Sequence, residues 1–246
     1  LTGERQEDES VTEPKPPANV LLAGINGSTA YGLATAESDV DRIGCYAAPT
    51  VAFHGLHPPV GKGATWVSTK PDATYHEAGK LAALLLKGNP TVTEICWLND
   101  YEVMTAEGEA LIGIRTAFLS APAVRNAYLG YATQQFHRIE VRGDGSFSAD
   151  TRKRTAKHAR HLRRLLEQGV ELHQTGHLTV RLSPAQVTDC RDFGEQVAAG
   201  DLHVAEGALR NAERAFDRPG VLPDRADEAA AEAWLKDVRR AYWERP

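Results

Sequence analysis

Two aspartates, Asp39 and Asp41, flank a single valine. On a strand this spacing turns both carboxylates to one face and Val40 to the other. Like charges held side by side repel, and a divalent cation is the usual compensation. Ten or so residues earlier runs Gly24-Ile25-Asn26-Gly27-Ser28-Thr29-Ala30-Tyr31-Gly32. A glycine-rich turn carrying a serine lets backbone amides approach phosphate oxygens closely. A phosphate-holding turn beside a metal-holding pair points to phosphoryl or nucleotidyl chemistry.

A second group of candidates lies far along the chain. From Thr151 to Leu166 there is no acidic residue, although the protein carries a net charge of −5. Lys157, His161 and Arg164 fall at i, i+4 and i+7, one face of a helix. Such a face suits a triphosphate, since Lys and Arg make charge-assisted bonds to its oxygens. Arg160 and Arg163 fall off that face, toward solvent or a nucleic-acid backbone. The competing reading is a solvated charged face with no ligand.

The elements that must position these groups follow from pattern. The apolar run Asn19–Ala23 reads as a buried strand leading into the Gly-Ser turn, and Asp39–Ala47 as a second strand. Proline and glycine make residues 49–63 loop-rich, and two extended pieces follow, around Thr65–Thr69 and Asp72–Tyr75. Glu77–Leu86 changes to a helical period, stopped by Gly88-Asn89-Pro90, and Thr91–Leu98 reads as a short helix. Six further helices are expected: Leu111–Phe118, Ala121–Ile139, Thr151–Gln174, Pro184–Ala199, Val204–Phe216 and Ala226–Trp243. Gly143-Asp144-Gly145 separates the second from the third, and Leu178–Leu182 is expected as a brief strand. The fold class is therefore α+β, a small mixed sheet with helices followed by a mainly α-helical C-terminal half. The expected division is an acidic, disordered tail over 1–17, a sheet-bearing core over 18–105 and a helical domain over 106–246.

Composition sets bounds. The chain has 246 residues, 42% hydrophobic and 25% charged, with no apolar run long enough to cross a bilayer. No signal-peptide pattern opens it. Three distant cysteines, Cys45, Cys96 and Cys190, suit neither a disulfide framework nor a zinc cluster and read as cytoplasmic thiols. The mild acidity offers no global attraction to nucleic acid, so any such binding must be local.

Gly27-Ser28, Tyr31-Gly32 and Ser38-Asp39-x-Asp41-x-x-Gly44 resemble the DNA polymerase beta-like nucleotidyltransferase superfamily. The resemblance extends to a bacterial and phage branch of nucleotidyltransferases associated with RNA repair. That branch carries a stretch seen here as Lys87-Gly88-Asn89-Pro90-Thr91-Val92-Thr93-Glu94, a helix seen as Lys157, His161 and Arg164-Leu165-Leu166, and the turn Thr175-Gly176. The match spans roughly Asn19 to Phe193 in order, which makes it far more specific than any one piece.

The resemblance implies an NTP substrate such as ATP, gripped at Gly27 and Ser28, with Lys157, His161 and Arg164 on its phosphates. It implies two Mg²⁺ ions, or Mn²⁺, on Asp39, Asp41 and a third carboxylate. Asp72 is the first choice for that ligand, with Glu77 and Glu94 as competitors. The implied reaction moves a nucleoside monophosphate to an acceptor hydroxyl, an RNA end or a protein, and releases pyrophosphate. Two alternatives stand beside it: a toxin–antitoxin member that modifies a protein partner, and a nucleotide sensor without catalysis.

Overall fold

The computed structural model describes residues 16–142 and 149–244. The tail expected over 1–17 lies outside them apart from Pro16 and Pro17, as does the Gly143-Asp144-Gly145 separator.

The apolar run forms β1 (Val20–Asn26), longer than expected and with five of its seven residues buried. Burial on both faces suits a strand with neighbours on each side. β1 pairs antiparallel with β2 (Asp41–Tyr46) and with the two-residue β5 (Val103–Met104). β3 (Thr65–Thr69) and β4 (Asp72–Glu77) form a hairpin, and β4 lies parallel to β2, giving the order β3-β4-β2-β1-β5. The sheet is thus mixed, as the sequence indicates.

The strand β1 passes straight into α1 (Gly27–Tyr31), so the expected turn contracts to a single residue, Gly27, at φ +67°. A short side-chain-free residue can hold this left-handed angle without strain. Residues 78–86 form α2 (Ala78–Leu86), whose N-cap Glu77 accepts from Gly79 N at 2.8 Å. Asn89 then caps α3 (Pro90–Thr93) through Val92 N, with Pro90 at the first helical position, where its missing N–H costs nothing. A 3₁₀ turn, Glu94–Trp97, continues from it.

The rest is helical: α4 (Ala106–Gly113), α5 (Ala121–Arg142), α6 (Ala149–Thr175), α7 (Pro184–Ala198), α8 (Leu202–Phe216) and α9 (Glu228–Ala241). α7 begins at a capping box, Ser183 with Gln186. The expected strand Leu178–Leu182 does not form. Its backbone is held instead by side chains and a lone contact: Thr179 N donates to Glu171, and Leu182 N to the Tyr31 carbonyl.

One apolar cluster runs from the sheet (Leu22, Ile43, Cys45) through α2 (Leu81, Leu85) into α5 and α6 (Tyr128, Leu162, Leu165) and on to α9 (Trp234, Val238). The opposite sheet face carries a smaller cluster of Ala23, Tyr46, Ala48, Ala73 and Tyr75. α9 returns to the sheet-bearing half. Trp234 Nε1 donates to the Glu107 carbonyl at 2.9 Å, and Arg239 Nη2 to Glu77 Oε2 at 2.9 Å. Thr50 N and Val51 N bond the carbonyls of Tyr242 and Trp243, at 2.9 and 3.1 Å. The sequence leaves open whether this helix packs on its own domain or on a second subunit; it packs on its own chain. Among the described residues no helix is long and apolar enough to cross a membrane.

Candidate active site

The register of the sheet brings two carboxylates together. Arg42 of β2 pairs with Ala73 of β4 in parallel, so Asp41 and Asp72, each one residue earlier, become neighbours on one face. On the other side Asp41 pairs with Asn26, the residue before Gly27. The carboxylate of Asp41 lies flat against Gly27: a Cβ there would sit 2.0 Å from Asp41 Oδ2. Gly27 therefore answers two demands, the left-handed turn and the space for a carboxylate.

The electrostatics record this crowding. The Asp41 carboxyl is held above its ordinary range by partial burial, then by repulsion from Asp72 and, more weakly, Asp39. Lys157 of α6 pulls the other way. The nearness of the Asp72 side chain adds to the same rise. Asp39 is less well assembled. It is exposed and precedes β2 rather than lying in it, and among the described residues no three His, Cys, Asp or Glu side chains are grouped as a ready metal site. The Asp41 and Asp72 pair does fit a hard divalent cation in kind, since it offers charged oxygens that repel one another until a cation arrives.

The two competitors for third carboxylate are committed elsewhere. Glu77 is buried, caps α2 and pairs with Arg239 of α9. Glu94 is fully buried and pairs with Arg164. Neither reaches the cleft with a free oxygen, and Asp72 alone stands beside Asp41.

The basic face of α6 divides. Lys157 is exposed and its charge is felt at Asp41. Arg164 is 2% exposed, its guanidinium 3.7 Å over the Tyr31 ring and bonded to Glu94, Gln168 and His161. The helical spacing that groups it with Lys157 is real, but the end of the face at Arg164 turns into the protein. His161 lies between the two, half-buried. Burial first, and the Arg164 charge second, push its imidazole down to about 3.

Tyr31 and Glu94 both belong to the motifs, yet their contact joins residues 63 apart and leaves no local pattern. The Tyr31 hydroxyl donates to Glu94 Oε2 at 2.6 Å, with Asn26 Oδ1 at 3.3 Å. The one hint in the sequence is that Glu94 closes the stretch Lys87–Glu94 that carries the family resemblance.

This geometry, a carboxylate pair folded over a left-handed glycine and faced by a lysine, falls within a stretch that one family model recognises. The model of the RNA repair pathway DNA polymerase beta family matches residues 4–198. The chain belongs to this family. The match runs to the end of α7, so every residue of the carboxylate cleft and of the α6 face lies within it, while α8 and α9 follow it. A search among curated proteins finds no match. Membership ties the chain to polymerase beta-like nucleotidyltransferases and to RNA repair. Enzymes of this superfamily typically use divalent metals.

Proposed function

We propose that the protein is a metal-dependent nucleotidyltransferase that moves a nucleoside monophosphate from an NTP to an acceptor hydroxyl, with an RNA end as the acceptor. The observation that carries the reading is the pairing of Asp41 with Asp72 against Gly27, facing Lys157. The family's association with RNA repair supports the acceptor.

Asp41 and Asp72 are the carboxylates that would hold Mg²⁺ or Mn²⁺, with Asp39 as the adjoining third ligand. Ions held by these carboxylates would supply Lewis-acid activation of the acceptor hydroxyl and charge neutralisation for the departing pyrophosphate. Gly27 and Ser28 would offer backbone amides and a hydroxyl to the phosphates. Lys157 brings a positive charge to the same cleft, where it stabilises the negative charge that grows on the leaving group. Arg164 acts differently: buried and paired, it orients its neighbours, and the phosphate contacts fall to Lys157 and His161.

The test is incubation with each α-³²P-labelled NTP and Mg²⁺ against a panel of RNA ends and proteins. Label on RNA that vanishes in Asp41→Asn supports the reading. Label on protein favours the toxin–antitoxin alternative, and nucleotide binding without any transfer favours the sensor. Transfer undiminished in Asp41→Asn refutes the metal assignment.

A further inference from the structure

We propose that Glu94 is a positioning residue, whose one buried carboxylate holds the two walls of the phosphate cleft in register. The proposal rests on the nucleotidyl-transfer reading above and names a residue that touches no substrate.

One oxygen serves each wall. Oε2 accepts from Tyr31, which ends α1, and the same hydroxyl lies 3.3 Å from Asn26 Oδ1, just before α1. The hydroxyl has one proton, which the shorter contact to Glu94 takes, so the five-residue helix that carries Gly27 and Ser28 is held at its Tyr31 end. Five residues are too few to be a stable helix alone, so its geometry must come from such contacts. Oε1 takes Arg164 Nη1, which fixes the rotation of α6 about the cleft. Lys157 rides on that same helix, two turns earlier.

Arg164 passes the constraint one step further. Its Nη2 lies 2.9 Å from His161 Nδ1. A guanidinium only donates, so Nδ1 must be the acceptor and the imidazole proton must sit on Nε2. His161 is thus a neutral donor, and its Nε2–H meets no acceptor among the described residues. It stands one turn from Lys157. A charged donor and a neutral donor on one helical face match the oxygens of a polyphosphate.

A purely structural role is the competing account. Buried ion pairs are weak contributors to stability, and apolar replacements of equal volume are often neutral. The location of this pair, spanning α1 and α6 rather than filling a gap within either, argues for orientation.

The full chain is tested as wild type, Tyr31→Phe, Glu94→Gln and Thr50→Val. Tyr31→Phe keeps the ring over Arg164 and removes only the hydroxyl. Thr50→Val removes a bond to the Arg239 carbonyl of α9, away from Glu94 and Arg164 in sequence, and controls for loss of a hydrogen bond as such. Three readouts are taken: KM and kcat for ATP in pyrophosphate release, thermal midpoint, and the His161 tautomer from ¹⁵N shifts without nucleotide. Expected are a wild-type His161 protonated on Nε2 alone, an ATP KM about tenfold higher in Tyr31→Phe at near-wild-type midpoint, and an unchanged KM in Thr50→Val. Glu94→Gln should raise KM and free His161 from its single tautomer; if it fails to fold, Tyr31→Phe carries the test. An unchanged KM in folded Tyr31→Phe, or wild-type His161 protonated on Nδ1, overturns the proposal. A wild type that binds no NTP overturns the functional reading instead, and the tautomer then still decides the Arg164 link.

Discussion

Replacing Gly27 with alanine tests the site where backbone and chemistry share one atom's space. The new Cβ would lie 2.0 Å from Asp41 Oδ2 and 2.9 Å from its Cγ. Contacts that close are not tolerated, so the carboxylate must rotate away. The backbone is also held at φ +67°, where a side chain costs about 1–2 kcal/mol. Displacing Asp41 from its rotamer adds about 0.5–1.5 kcal/mol. The sum, roughly 1.5–3.5 kcal/mol, corresponds to a fall in melting temperature of about 3–14 °C for a chain of this size. Activity should suffer more, since an ångström of misplacement at a reacting centre costs on the order of a hundredfold.

Gly32→Ala supplies the internal control. Gly32 has φ +76°, yet the nearest atom to a Cβ there is Val187 Cγ2 at 3.9 Å. It bears the backbone cost without the collision. Differential scanning fluorimetry and Mg²⁺-dependent pyrophosphate release, run on both variants, separate the two contributions. The expected pattern is destabilisation in both and loss of turnover in Gly27→Ala only. Equal turnover in the two variants would refute the claim that Gly27 exists to admit the Asp41 carboxylate.

Three further outcomes are expected. Arg239→Ala strands Glu77 as a buried, unpaired charge and should cost about 3–5 kcal/mol, read as a lower denaturation midpoint in urea. Lys157→Ala should raise the KM for NTP about tenfold, the loss of one charge-assisted contact, and an unaltered nucleotide affinity would remove that assignment. The raised Asp41 carboxyl gives a pH dependence of defined sign. Its protonated form is favoured by folding, so its contribution to metal-free stability is full below the ordinary carboxylate range and is lost as pH rises through the raised value. Mg²⁺ must displace that proton, so thermal stabilisation by Mg²⁺ should grow from about pH 4 to about pH 7. A stabilisation independent of pH would count against Asp41 as a ligand.

What could be read in the sequence was what is local. The apolar run of β1, the break at Gly88-Asn89-Pro90, the helix expected from Pro184 and the period of α6 all depend on neighbours within a turn or two, and each element formed near its expected place. The proximity of Asp41 and Asp72 needed only that two strands pair in parallel. Arg164 shows where this stops. A helical wheel places it with Lys157, but which arc of the wheel meets solvent depends on Glu94, 70 residues away. The same holds for Glu77, whose partner lies on the last helix. Leu178–Leu182 has strand-like residues, but strand formation requires a free edge, and the segment lies by α1 instead. Asp39 falls between: its spacing to Asp41 is a pattern of the chain, while the strand begins only at Asp41.

The return of α9 sets an order on biosynthesis. Glu77 ends the strand that begins with Asp72, and its counter-charge arrives 162 residues later. At ribosomal speeds of about 5–20 residues per second, that is a wait of roughly 8–30 s. Through that interval Glu77 has the Gly79 amide as a local partner but no counter-charge. The ladder bonds of β4 to β2 and β3 form without Arg239, but the charge at the end of that strand stays uncompensated until α9 docks. A chain that stops before Arg239 lacks the residue that neutralises Glu77.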